Sequence, residues 1–179
     1  PRWSTCIAGR PEPAEPPDGK YLLGVLSGEG IGPEVVSAAL LVLQALESES
    51  RLRFAIETGP AIGDADKHQG QALRADAIEF CEGLFARGGA VLCGPAGGRF
   101  VYDLRRRFDL FCKLSPLIPR RHVWPANRLK TEYLHGVDCM VVRDNAAGIY
   151  QGTWHAETCP ERGRVAHHSF SYAESEVLR

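Results

Sequence analysis

A chain of 179 residues is long enough for a sizeable hydrophobic core, and 44% apolar with 24% charged residues is ordinary for a globular protein. Lys and Arg number 21 against 22 Asp and Glu, a net charge of −1, so nothing electrostatic argues for a nucleic-acid or anionic-membrane partner. No apolar run reaches the length of a bilayer span.

Residues 1–20 hold five of the twelve prolines, at positions 1, 11, 13, 16 and 17, and few large apolar residues, which reads as a flexible tail. The first residue is not methionine, which suits a processed or clipped start, and no apolar signal core is present. Tyr21–Leu26 is a short apolar run suited to a buried strand. It feeds Ser27-Gly28-Glu29-Gly30-Ile31-Gly32-Pro33 and then an amphipathic run from Glu34 to about Leu46, with Pro33 at the first helical position. A strand, a glycine turn and a helix begin a βαβ unit. Leu52–Glu57 suits the next strand. Ala75–Ala86 reads as a helix, with Ile78, Cys81 and Phe85 on one face and Phe80 and Leu84 widening it. Ala90–Cys93 is a short buried strand ending in Gly94-Pro95-Ala96-Gly97-Gly98. Val101–Phe108 reads as helix, Leu110–Leu117 as extended chain and Val137–Val142 as a strand, with Pro116, Pro119 and Pro125 punctuating a loop. The alternation predicts an α/β fold, a largely parallel sheet flanked by helices, in one domain over residues 21–179.

Six cysteines contain no Cys-x-x-Cys pair. Four fall in or beside apolar runs, where Cys packs as a small buried hydrophobe, so reduced thiols in a cytoplasmic protein are expected. Six histidines show no zinc spacing, and the adjacent pair His167-His168 is poorly placed to share an ion. Asp103, Asp109, Asp138 and Asp144 are scattered and make no acidic cluster, so no metal ligands are assigned.

Three segments carry chemistry. The Gly28–Gly32 turn lets backbone amides approach a ligand at a helix start, but its glycines at 28, 30 and 32 do not form G-x-G-x-x-G, and on this motif alone a tight turn needing positive φ is the better explanation. Arg105-Arg106-Arg107 would point about 100° apart on a helix, so they form no single patch. In Val141–Gly152, Arg143 offers a fixed cation with a planar fork of donors for a carboxylate, and Tyr150 can hydrogen-bond or protonate what the arginine holds.

Together these segments resemble the isocitrate/isopropylmalate dehydrogenase family. Ser27–Val35 resembles its Gly-Asp-Gly-Ile-Gly-Pro-Glu opening, with Glu29 replacing the usual Asp. Val91–Gly98 is similar to its Leu-Gly-Ala-Val-Gly-Gly strand and loop. Leu104–Pro116 resembles Leu-Arg-Lys-x-Leu-Asp-Leu-Phe-Ala-Asn-Leu-Arg-Pro, and Val141–Gly152 resembles Val-Arg-Glu-x-Thr-x-Gly-Ile-Tyr-x-Gly. The resemblance implies oxidation and decarboxylation of a 2-hydroxy acid with NAD or NADP and Mg2+ or Mn2+. It implies that Arg105 and Arg143 bind substrate carboxylates and that Tyr150 assists protonation. It also implies that Gly30, Ile31 and Gly32 approach the nicotinamide ribose side, in an enzyme that is a homodimer when complete.

Three departures qualify these expectations. Ser115 stands where the Leu-Arg-Pro arginine belongs; Lys113, on the same face of an extended segment, is the candidate replacement charge. The stretch between Gly98 and Arg105 is short, and Val101 falls at the position that selects the substrate's side group, leaning toward an alkyl-substituted malate. Beyond Tyr172-Ala173-Glu174-Ser175-Glu176, similar to a helix start after the family's dimer arm, the catalytic lysine, metal-binding aspartates and adenosine loop are absent. The chain is therefore expected to contain about half of an active site and, alone, to be inactive and poorly soluble. A rival expectation is a non-catalytic paralogue that pairs with a catalytic subunit as a regulatory partner.

Overall fold

A computed structural model describes residues 16, 18–63, 72–97 and 99–178; most of the expected tail lies outside the described residues. The chain forms two compact units, Ala14–Arg107 and a second that contains Phe108–Arg179, and each is taken by itself. Among the described residues no helix is long and apolar enough to cross a membrane.

In the first unit, strands β1 (Tyr21–Leu26), β2 (Phe54–Thr58) and β3 (Ala90–Cys93) form a parallel sheet in the order β2-β1-β3. The central β1 carries the burial, with Val25 and Leu26 at 2% and 0% exposure. Helix α1 (Gly32–Glu49) starts with Pro33 in its first turn and Glu34 beside it, where the missing N–H costs nothing and the helix dipole favours an acid. Helix α2 (Ala75–Ala86) buries Ala77, Cys81 and Leu84, so its core stripe is rotated by one position from the expected Ile78/Cys81/Phe85 face. Gly24 of β1 makes that packing close: a Cβ there would meet Leu84 and Phe80 side chains at 2.7 and 2.9 Å. Helix α3 (Phe100–Arg107) buries Phe100 and Leu104, one turn apart.

The second unit is built from antiparallel ribbons, which were not legible in the sequence. Strands β4 (Cys112–Leu117) and β5 (Cys139–Asp144) pair with Leu114 opposite Val142. Between them lie a 3-10 turn, Arg121–Ala126, and a single helical turn, α4 (Thr131–Leu134). A second 3-10 turn, Gly148–Tyr150, leads into a hairpin of β6 (Thr153–Cys159) and β7 (Gly163–Ser169), which is exposed along almost its whole length. The short α5 (Glu174–Leu178) follows.

The expectation of buried cysteines is corrected: Cys81 is buried, but Cys93, Cys112 and Cys139 are exposed, because they sit at strand ends and, in β4 and β5, on strands covered on neither face. All five described cysteines are free, and burial pushes the Cys81 thiol up, away from reactive thiolate.

Across the first unit, Arg87 donates two 2.7 Å hydrogen bonds to the Glu57 carboxylate, tying the end of α2 to β2. That guanidinium holds the Glu57 carboxyl below its usual value of 4.5. A carboxylate depressed in the folded state contributes stability above its unfolded value and loses it as pH falls through the folded one. The urea midpoint of Arg87→Leu should therefore lie below wild type at neutral pH and converge with it on acidification. A gap that stays constant with pH would assign Arg87 to packing instead.

Candidate functional site

In the first unit the carboxyl ends of β1 and β3 bring together the turn Ser27–Ile31 and the loop Gly94–Gly97. This is the end of an open parallel sheet where ligands bind. Glu29 N–H donates to the Pro95 carbonyl at 2.8 Å, and the Glu29 carboxylate accepts from Gly97 N–H. The approach requires glycine. Gly28 sits at φ +80, and a Cβ on it would run into the Pro95 carbonyl; one on Gly94 would run into the Ser27 carbonyl. Gly30, also left-handed at φ +60, has open space around its Cβ position instead. Ile31 is the N-cap of α1, makes no side-chain capping bond, and is 61% exposed. Gly30, Ile31 and Gly32 thus form one edge at the start of α1, open at the first two and closed by the buried Gly32.

Helix α3 sorts the three arginines. Arg107 pairs with Glu82 of α2, and Arg106 is exposed. Arg105 is half-buried one turn after Val101 on the same helix face, and no hydrogen-bond or ion-pair partner engages it among the described residues. Among the described residues Arg105 and Arg106 are both without an ion pair, and of the two only Arg105 is half-buried, with an apolar neighbour one turn away.

The second unit collects three more of the expected residues. Register places Lys113 of β4 directly opposite Arg143 of β5, and Ser115 opposite Val141. Directly opposed residues share a sheet face, so two cations stand side by side where like charges repel. Arg143 is held in place: its Nε donates to Asn145 Oδ1 at 3.1 Å, and its guanidinium carbon lies 5.4 Å from the Tyr150 ring centroid. Asn145 is 5% exposed, and its backbone N–H donates to the Phe111 carbonyl at 2.7 Å. The Asp144 carboxylate accepts from the Ala146 and Ala147 amides at 2.9 and 3.2 Å, which shapes the turn that delivers Tyr150. Arg143 also lines a groove of about 440 Å³ with Phe111, Val142 and Tyr172.

Two features escaped the sequence. Asn145 lies inside the Val141–Gly152 segment, but its role needs the strand to end where it does, with the side chain turned back on Arg143. The histidines offered no zinc spacing, yet the β6–β7 hairpin gathers His155, Glu157 and His167, with candidate ligand atoms all within 4.8 Å of one another. Residues ten or more apart met through strand register, which no local spacing rule reads.

The model of the isocitrate/isopropylmalate dehydrogenase family matches residues 22–179. The chain belongs to that family. It is 33% identical over 173 residues to a 3-isopropylmalate dehydrogenase of Methylococcus capsulatus, covering 88% of this chain and 46% of that protein. A 3-isopropylmalate dehydrogenase of Thiobacillus denitrificans is 32% identical, with 88% and 47% covered. The chain thus spans about half the length of the curated relatives it matches. Among solved structures, protein TT0538 of Thermus thermophilus aligns with a TM-score of 0.62 at 25% identity, over 89% of this chain and 30% of that one. Isocitrate dehydrogenase of Methylococcus capsulatus aligns with a TM-score of 0.57 at 20% identity, over 87% and 44%, and shares the fold. The mixed α/β architecture with its parallel sheet is that of the family.

The two left-handed glycines give a paired prediction for this family member. Gly30→Ala adds backbone strain of about 1–2 kcal/mol and no clash. Gly28→Ala adds the same strain plus a collision with Pro95 and should lower stability by clearly more. Urea unfolding of the two variants checks the order; equal losses would mean that the two loops separate at little cost.

Proposed function

We propose that this chain supplies the carboxylate-binding and proton-transfer part of a decarboxylating dehydrogenase site. The substrate is a 2-hydroxy acid such as 3-isopropylmalate, and the enzyme uses NAD or NADP with Mg2+ or Mn2+ as a cytoplasmic homodimer. The observation that carries the reading is the cross-strand pair of Lys113 and Arg143 with Tyr150 beneath the guanidinium. Two adjacent cations with no carboxylate partner among the described residues suit an anion with more than one negative charge. The Nε of Arg143 is occupied by Asn145, which leaves its terminal nitrogens for a substrate carboxylate. Loss of carbon dioxide from the oxidised acid leaves an enolate, and the Tyr150 hydroxyl is the proton donor to its carbon. By the family resemblance Arg105 would bind a substrate carboxylate and Val101 would meet the substrate's side group; an apolar residue in that role favours an alkyl group over the further carboxylate of isocitrate.

The residues present fit a nicotinamide cofactor, because Gly30 is open on its outer side and Ile31 is exposed at an uncapped helix start. Gly30, Ile31 and Gly32 would hold its ribose side, and the bound cofactor would supply the acceptor for the hydride lost from the substrate carbinol. No set of carboxylates suited to a hard divalent cation is gathered among the described residues. The five free cysteines among the described residues suit a reducing compartment, and the exposed β6–β7 hairpin supports assembly with a second copy.

A second reading has one observation in its favour. Ser115, opposite Val141, brings no charge where the family pattern has arginine, as in a paralogue that binds the acid and regulates a catalytic subunit. Reduced-cofactor formation by the protein purified from its native source, with 3-isopropylmalate or isocitrate and Mn2+, separates the two. Turnover of 3-isopropylmalate is expected; binding without turnover, even with a catalytic partner chain added, overturns the enzyme reading in favour of the paralogue. Arg143→Lys should lower kcat/KM by about 30-fold or more, the equivalent of roughly 2 kcal/mol for a lost bidentate contact. Lys113→Ala should raise KM with kcat nearly unchanged, and an unaltered KM would remove Lys113 from the site.

A further inference from the structure

We propose that the β6–β7 hairpin carries a binding site for a borderline divalent transition metal, Zn2+, formed by His155, Glu157 and His167. Strand alternation places His155 and Glu157 on one face of β6, and register sets His167 directly opposite His155. The two imidazoles are stacked with centroids 4.6 Å apart and planes 10° from parallel, and His167 Nε2 lies 2.9 Å from Glu157 Oε1. All three candidate ligand atoms lie within 4.8 Å of one another. Zinc bonds nitrogen and oxygen at about 2.0–2.2 Å, so two ligand atoms on one ion stand at most about 4 Å apart. Small side-chain rotations close that difference, and all three residues are exposed.

The ligand chemistry selects the ion. Two imidazoles and one carboxylate suit Zn2+, Cu2+ and Ni2+, whereas Mg2+ and Mn2+ favour carboxylate, carbonyl and water oxygens. The fourth position of this face, opposite Glu157, is Val165, which cannot ligate, so a bound ion keeps room for water or a fourth donor. The other face differs: Trp154 and His168 meet there edge to face, with Ala156 and Ala166 beside them. The ligating face is thus the polar face of the hairpin, and His168 belongs to the opposite one.

The test is calorimetric titration of the untagged, chelator-stripped protein with ZnCl2 alone, after the exposed thiols have been alkylated. One equivalent of Zn2+ is expected to bind. His155→Ala and His167→Ala should each weaken it by at least about tenfold, since even partners outside the ligand shell cost that much. Glu157→Gln, which keeps the side-chain shape, should weaken it as well, while His168→Ala leaves it unchanged. Circular dichroism confirms that the variants fold. Absence of saturable binding, or the same affinity in wild type, His155→Ala and His167→Ala, overturns the site.

Discussion

The close passage of two backbones holds the first unit in its shape. The turn after β1 and the loop after β3 come together with carbonyl oxygens where side chains would otherwise begin, at Gly28 against Pro95 and at Gly94 against Ser27. Everything at the carboxyl end of the sheet depends on that passage. It sets where α1 starts, it exposes the Gly30–Ile31 edge, and it is closed by the Glu29 carboxylate on the Gly97 amide. A single Cβ at Gly28 would separate the loops, which makes this a steric constraint more than an energetic one.

The second unit sets like charges side by side. Lys113 and Arg143 face each other across β4 and β5, an arrangement that costs stability in an isolated sheet. Arg143 is nonetheless fixed from two sides, by the buried Asn145 and by the Tyr150 ring. Immobilising a cation beside another cation lowers the ordering cost of binding an anion there. Arg105 of the first unit shows the same pattern in milder form, half-buried and unpaired among the described residues while its neighbour Arg107 is engaged by Glu82.

Elements whose pattern lies within a few residues were legible in the sequence. Tyr21–Leu26, Ala75–Ala86 and Ala90–Cys93 carry apolar periodicity bounded by glycine, and the structure starts and ends them at those residues. Val137–Val142 shifted to Cys139–Asp144 because pairing with β4, and not local hydrophobicity, decides where that strand stops. The cysteines of the exposed strands were misjudged because an apolar run reports strand propensity, and half of a strand's residues face whatever covers the sheet. The His155–Glu157–His167 group was invisible for a related reason: it exists through a register fixed by the three-residue loop before Gly163, which no periodicity encodes.

Two departures from the family pattern, Glu29 and Ser115, look alike in the sequence, since each replaces a charged residue of a family motif. Their surroundings separate them. The longer carboxylate of Glu29 reaches the Gly97 amide and ties the two loops together, so the scaffold absorbs that change and gains a contact from it. Ser115 faces Val141 and supplies nothing to an anion, so the missing charge must come from elsewhere or be lost. Lys113 lies two residues back on the same face of β4, a displacement of about 7 Å along the strand, and stands beside Arg143. Moving a cation by that distance changes which carboxylate it can reach without changing the number of cations. The change at Glu29 is therefore met by a contact of its own, whereas the change at Ser115 is met only by a cation displaced along the strand.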